Sequence, residues 1–325
     1  MANCACRITT LVLTSALLAG VLSCAHESHP TIYFISQTTA DDLWEPARVG
    51  SLDGTVNSAY SIHWTGPPSV NDIQAQIHLL DVAVDRHAAG IILAPSHPLA
   101  LMMPVRRAGL LGIPVVVIAS PLPLAAANNL FYVLNDEEEE GKIAARRIGS
   151  RLNGKGSVAI LGLNPDDQGI FTRMQAFEGT LVREFPNVKI LSRHMEPNSE
   201  AQSEQTARAL LTSNVSPDAI LALTGTATNG VLQAIGNTDH GKKIILVSCD
   251  QRTGTLYYLS LGKVDSVIAE NTYAMGSRAA EMILEARSGR PMGDTLRIRP
   301  ILVTRENMYS PELFRILTQD LRERY

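Results

Sequence analysis

From Thr31 onward, short apolar runs rich in Val and Ile alternate with longer amphipathic stretches. The runs fall at residues 32–36, 60–64, 90–94, 114–119 and 131–134, then at 157–161, 188–191, 219–223, 243–249 and 266–269. Gly90-Ile-Ile-Leu-Ala94 and Pro114-Val-Val-Val-Ile-Ala119 show no alternation. Such runs belong to strands covered on both faces, as in a parallel sheet. Between them, residues 70–86 repeat apolar side chains at Ile73, Ile77, Leu80 and Val84, which is one face of a helix. Strands separated by helices in this way are βαβ units. They are too many for one ordinary doubly wound sheet and predict two sheets of about five strands each.

Open sheets of this kind bind ligands beyond the carboxyl ends of their strands, where helix N-termini also point. The residues that follow the predicted strands include Gln37, Ser96, Ser120, Asp136, Asn164, Thr224, Asp250 and Glu270. All are hydrogen-bonding groups, and two facing sheets would present them to one cleft. The acidic run at 136–140 opens a helix whose later turns carry Lys142, Arg146, Arg147 and Arg151. Acids at the first turn and bases further on suit the helix dipole, and Asp136 suits the N-cap. Its strand-end position also makes Asp136 a candidate ligand group.

The N-terminus has a different character. It carries one basic residue, Arg7, and then an apolar stretch over residues 11–22 that is too short for a stable membrane span. No apolar run anywhere reaches about 18 residues. Val21-Leu22-Ser23-Cys24 resembles the lipobox of bacterial lipoproteins, in which the Cys is acylated and becomes the first mature residue. Residues 1–23 are then a signal peptide, residues 24–30 a tether and Cys24 the lipidation site. A plain signal peptide cut near Ala25 is the alternative. Cys4 and Cys6 fall in the removed segment, so Cys249 stands alone in the mature body and no intramolecular disulfide is expected. At the end of an apolar run it reads as a small buried residue.

A length of 325 residues fits two domains. With 45% hydrophobic and 18% charged residues the chain has ample material for cores. A net charge of −4 argues against a protein that coats nucleic acid. Gly225-Thr-Ala-Thr-Asn-Gly230 has the gap of a phosphate loop but no Lys. The eight His residues lack metal-ligand spacing. No catalytic set, cofactor or metal site is expected.

Ile91-Ile-Leu-Ala-Pro-Ser96 and Gly112-Ile-Pro-Val-Val-Val-Ile-Ala-Ser120 resemble the third and fourth strands of periplasmic sugar-binding proteins of the ribose-binding type. Arg173-Met-Gln-Ala-Phe177, Val247-Ser-Cys-Asp250, Tyr273-Ala-Met-Gly276 and the segment 301–307 fall in register with the same family. The resemblance runs from about Ile32 to Asn307. It implies an α/β fold with two doubly wound, Rossmann-like lobes, each on a parallel sheet, joined by a three-segment hinge: a type I periplasmic binding protein. Lobe one would be 30–134 plus 271–296 and lobe two 135–270 plus 297–325. Breaks near Leu134, Glu270 and Arg297 would form the hinge.

The family's site residues carry over onto this chain one at a time. Trp44 stands where an aromatic pair stacks on the sugar, with Leu43 in place of the second ring; the competing reading of Trp44 is a helix core residue. Arg173 matches a ligand-binding Arg, Asp250 an Asp that accepts from hydroxyls, and Asp136 an Asp where the chain enters the second lobe. Ala119-Ser120 replaces the usual Asp after the fourth strand, Thr224 replaces an Asn, and Glu270 replaces a Gln at the hinge. The resemblance therefore implies an exported, lipid-anchored solute-binding protein on the periplasmic face of a bacterial membrane. It would capture a sugar or polyol between its lobes and deliver it to an ABC permease and ATPase, without catalysis, as a monomer, with no nucleic acid partner. Alternatives are a sensing protein that reports to a sensor kinase, or an enzyme on the same scaffold.

Overall fold

The computed structural model describes residues 29–317 apart from 41, 70, 71, 128, 166, 197, 198, 238–242, 291 and 292. The expected signal segment and Cys24 lie outside the described residues. The first sheet is built from β1 (Thr31–Ile35), β2 (Ser61–Thr65), β3 (Gly90–Leu93), β4 (Val115–Ala119) and β5 (Leu130–Asn135). Helices α1 (Glu45–Thr55), α2 (Ile73–Asp85) and α3 (Pro98–Leu110) connect the first four strands. The chain then enters α4 (Glu137–Arg151) and builds a second sheet from β6 (Lys155–Leu163), β7 (Asn187–Met195), β8 (Ala219–Ala222), β9 (Ile245–Ser248) and β10 (Ser266–Ala269). Its connecting helices are α5 (Gln168–Glu184), α6 (Glu200–Thr212), α7 (Gly225–Asn237) and α8 (Thr253–Ser260). Helix α9 (Thr272–Arg287) returns to the first lobe, followed by β11 (Thr295–Ile298), β12 (Ile301–Thr304) and α10 (Pro311–Leu317).

The strand orders are β11-β5-β4-β3-β1-β2 and β12-β10-β9-β8-β6-β7. Each sheet reverses direction once, between its first and third strands, so both lobes are doubly wound. The pairings are parallel except for β12, which runs antiparallel to β10. Central strands are mostly buried, and β3 wholly so, as their unbroken apolar runs require, whereas the edge strands β2 and β7 are partly exposed along their length.

Each sheet thus has six strands rather than about five. The additions, β11 and β12, are four residues each and stand either side of Arg299-Pro300. They are too short to announce themselves by periodicity. Arg297, expected at a chain break, lies inside β11 and pairs with Leu134, so the third crossing falls at residues 299–300. The other two crossings are at Asp136 and at residues 270–271.

Both lobes use a glycine to bring two helices together. A Cβ on Gly276 of α9 would lie 1.9 Å from the Ala47 carbonyl oxygen of α1, and one on Gly141 of α4 would lie 2.1 Å from the Arg173 carbonyl oxygen of α5. Side chains of Asp72, Asp136, Asp167, Ser199 and Asn271 cap the helices they precede. Among the described residues no helix is long and apolar enough to cross a membrane.

Candidate ligand site

The first crossing starts the site. Asp136 caps α4 by accepting from the Glu139 amide at 3.0 Å, as its position before the acidic run predicts. Within that run the four glutamates divide by helix face. Glu138 is exposed and pairs with Lys142 at 2.6 Å, and the half-buried Glu139 pairs with Arg299 at 2.8 Å. Glu137 and Glu140, three residues apart and so on one face, turn towards α5.

There they meet Arg173, whose side chain is only 7% exposed. Its Nε and Nη2 donate to one oxygen of Glu137 at 2.9 and 2.6 Å, and Nη1 donates to the Leu223 carbonyl at 3.2 Å. Nη2 also lies 3.2 Å from Glu140 and 3.9 Å from Glu270. Gly141 makes this possible, because any larger residue would push α5 and its Arg away. Leu223 ends the β8 region and Glu270 follows β10, so the cluster sits across the carboxyl edge of the second sheet.

The three carboxylates have oxygens within 4.8 Å of one another, and the cation they share is the guanidinium. Three acids face one base. Burial raises the pKa of Glu140 to about 8, opposed by Arg173 and reinforced by Glu137 and Glu270. Burial and the neighbouring Glu137 raise Glu270 to about 7. Burial works against the charge on Arg173, but Glu140 and Glu137 outweigh it and hold the guanidinium protonated. The free Cys249 abuts the cluster, and burial, then Glu140, push its thiol well up, so it sits there as a neutral thiol.

Of the residues singled out in the sequence, Arg173 and Glu270 come together here, with Asp136 beside them at the start of α4. Thr224 caps the start of α7 through the Ala227 amide, and its hydroxyl donates to Glu196 at 2.6 Å. Asp250 is buried and accepts from Thr255 at 2.5 Å and Arg252 at 2.8 Å. Ser120 is exposed at the end of β4, just after Ala119 at φ 64°.

Trp44 is a correction. Its side chain is 3% exposed and belongs to the first lobe's core with Ile32, Phe34, Ala47 and Met275. The indole fills space between helices and sheet and is not a platform beside the carboxylates. Glu137 and Glu140 were missed because the acidic run reads as a solvated helix start. The signal was available: their spacing of three puts them on the same side as Gly141, Ala144, Ala145 and Ile148, which are all buried.

The sequence matches the periplasmic binding protein domain over residues 32–291. The chain belongs to the periplasmic binding protein family. It is similar to the D-allose-binding periplasmic protein of Escherichia coli strain K12, at 24% identity over 264 residues, 79% of this chain and 84% of that one. In structure it is similar to the sugar-binding protein of a sugar ABC transporter from Bacillus halodurans, with TM-score 0.79 and 24% identity, covering 86% of this chain and 98% of that one. A carbohydrate transporter solute-binding protein from Agrobacterium radiobacter, in complex with D-arabinose, gives TM-score 0.75 and 21% identity over 90% of this chain and all of that one. The two-lobed fold is therefore that of type I periplasmic binding proteins, and the periplasm is where the family acts.

Proposed function

We propose that this protein captures a small polyhydroxylated ligand, a sugar or sugar-like molecule, between its two lobes and delivers it to an ABC importer. The observation that carries the reading is the cluster of Arg173, Glu137, Glu140 and Glu270. It stands at the carboxyl edge of a doubly wound sheet, beside two of the chain crossings, in a family whose relatives are named for sugars. Ser120 from the first lobe and Asp136, Thr224 and Asp250 from the second would supply further polar contacts. Closure is then a population shift, driven by contacts to both lobes that exist only when the cleft is shut. The partner would be a permease with its ATPase, and the working form a monomer held to the membrane through acylated Cys24. The function needs no nucleophile, and the ligand leaves unchanged.

A thermal-shift screen against pentoses, hexoses and polyols tests the reading. A cognate sugar at 100 times its dissociation constant adds about 2.7 kcal/mol to stability. Silence from every sugar and polyol, with a response to amino acids alone, would overturn it. For the anchor, Cys24→Ala should release the protein from the membrane fraction or block its processing.

A further inference from the structure

Resting on that reading, we infer that the ligand carries a positively charged amine: the site is built for an amino sugar or an amine-bearing polyol, with the ammonium seated against Glu137 and Glu270. Three carboxylates surround one guanidinium, which leaves a surplus of negative charge at the cleft edge of the second lobe. The guanidinium already occupies the point between them, which argues against a metal ion there.

Donors are also short, and this is a separate observation. Asn135 ends β5 and is 1% exposed. Its amide nitrogen donates to Glu140 at 2.6 Å, so its head lies within the cluster, and its Oδ1 has no hydrogen-bond partner. Glu140 Oε1 is also buried and unpartnered. The Cys249 thiol, which interacts with Glu140 and Arg173, is a weak donor. Arg173 has already directed its Nε and Nη2 to Glu137 and its Nη1 to Leu223. A buried set of acceptors with too few donors favours a group that brings both protons and charge.

Access is on the correct side. Glu137 and Glu270 keep 17% and 26% of their side chains exposed, whereas Glu140 is sealed behind them. On the first lobe the strand-end segments 36–40, 66–69, 94–97 and 119–123 contain no Lys or Arg, and His97 is their one basic side chain. The raised pKa values of Glu140 and Glu270 fit, since protons are what the cluster takes when no cation serves. A bound ammonium would displace them.

The test is calorimetric titration with matched probes at pH 7.5: D-glucosamine against D-glucose, D-galactosamine against D-galactose, D-mannosamine against D-mannose, with the N-acetyl forms as uncharged controls of greater bulk. In at least one pair the amine should bind about tenfold or more tightly than its neutral parent, the scale of one charge-assisted hydrogen bond. Acetylation should abolish the preference. Glu270→Gln, and separately Glu137→Gln, should shrink the ratio of amine to parent, with circular dichroism confirming the fold. Neutral parents that bind as well as their amines in every pair that binds overturn the inference and leave sugar capture standing. Failure of every hexosamine to bind overturns the inference, and the wider screen of pentoses, hexoses and polyols then decides sugar capture separately.

Discussion

The first lobe meets the cleft with neutral groups and the second with charged ones. In the first, Trp44 is turned into the core, Ser120 stands exposed, and the strand ends carry Gln, Ser and Thr. In the second, Arg173 lies among Glu137, Glu140 and Glu270, with Asp250 and Arg252 paired nearby. Both lobes share strand order and a glycine-mediated helix contact, so the contrast is not inherited from the architecture. It arises at the strand ends, where side chains are free to change without disturbing the sheet. The division suggests that the first lobe supplies shape and hydrogen bonds, and the second decides which charge a ligand must carry.

The largest effects should come from emptying each lobe of its central group. Trp44→Ala removes a buried indole and should destabilise the protein by about 3–5 kcal/mol, equally at pH 5 and pH 8, because no ionisable group is involved. Arg173→Met leaves buried carboxylates without their cation and should cost about 3–5 kcal/mol at pH 8. At pH 5 the cost should fall, because Glu140 is already protonated there and no longer needs the cation. Urea denaturation of both variants at the two pH values checks the pair. An equal loss for Arg173→Met at both pH values would mean that its role is packing alone.

Much of this contrast was legible in the sequence, for a physical reason. Unbroken apolar runs such as Val115–Ala119 reveal buried parallel strands, and residues after strands must lie at the cleft edge. Glu270 could be selected on that basis, and Arg173 by the family resemblance. Trp44 could not be placed, because an indole near a strand end serves a core as well as a sugar ring. Which Glu of a run of four faces inward depends on where the helix packs, and that contact is set by Gly141 against α5. The strands β11 and β12 were hidden because four residues cannot show a period.

A smaller effect separates the lobes by pH. Glu140 and Glu270 have folded-state pKa values of about 8 and about 7, above the 4.5 expected of an unfolded Glu. The folded state then binds more protons than the unfolded state between those limits, so stability falls as pH rises. Unfolding in urea should show the ligand-free protein losing stability from pH 5 to pH 8.5. Glu140→Gln should flatten that slope, since the neutral amide imitates the protonated acid. A bound cation should flatten it too, by holding the carboxylates charged. A slope that is unchanged in Glu140→Gln would place the linkage elsewhere.

The smallest effect concerns backbone strain at the cleft edge. In the second lobe the positive φ of 88° near the end of β6 falls on Gly162, which adopts it freely. In the first lobe a positive φ falls at the end of β4 on Ala119, at 64°, and the Ser120 amide donates across it to the Ile118 carbonyl at 2.9 Å. A three-residue turn of this hand is rare and strained for an L-residue. The left-handed conformation costs Ala about 1–2 kcal/mol, part of which glycine returns as greater freedom of the unfolded chain, roughly 0.5–1 kcal/mol. Ala119→Gly should therefore raise stability by about 0.5–1 kcal/mol, or about 1–4 °C in melting temperature. Gly162→Ala should lower it, since its Cβ would come within 2.9 Å of Thr224 and Glu196. Strain of this kind at a strand end that carries the exposed Ser120 is what a segment kept for binding geometry over stability would show. Calorimetric melting of the two variants decides it: if Ala119→Gly melts at or below the wild-type temperature, the turn stores no strain.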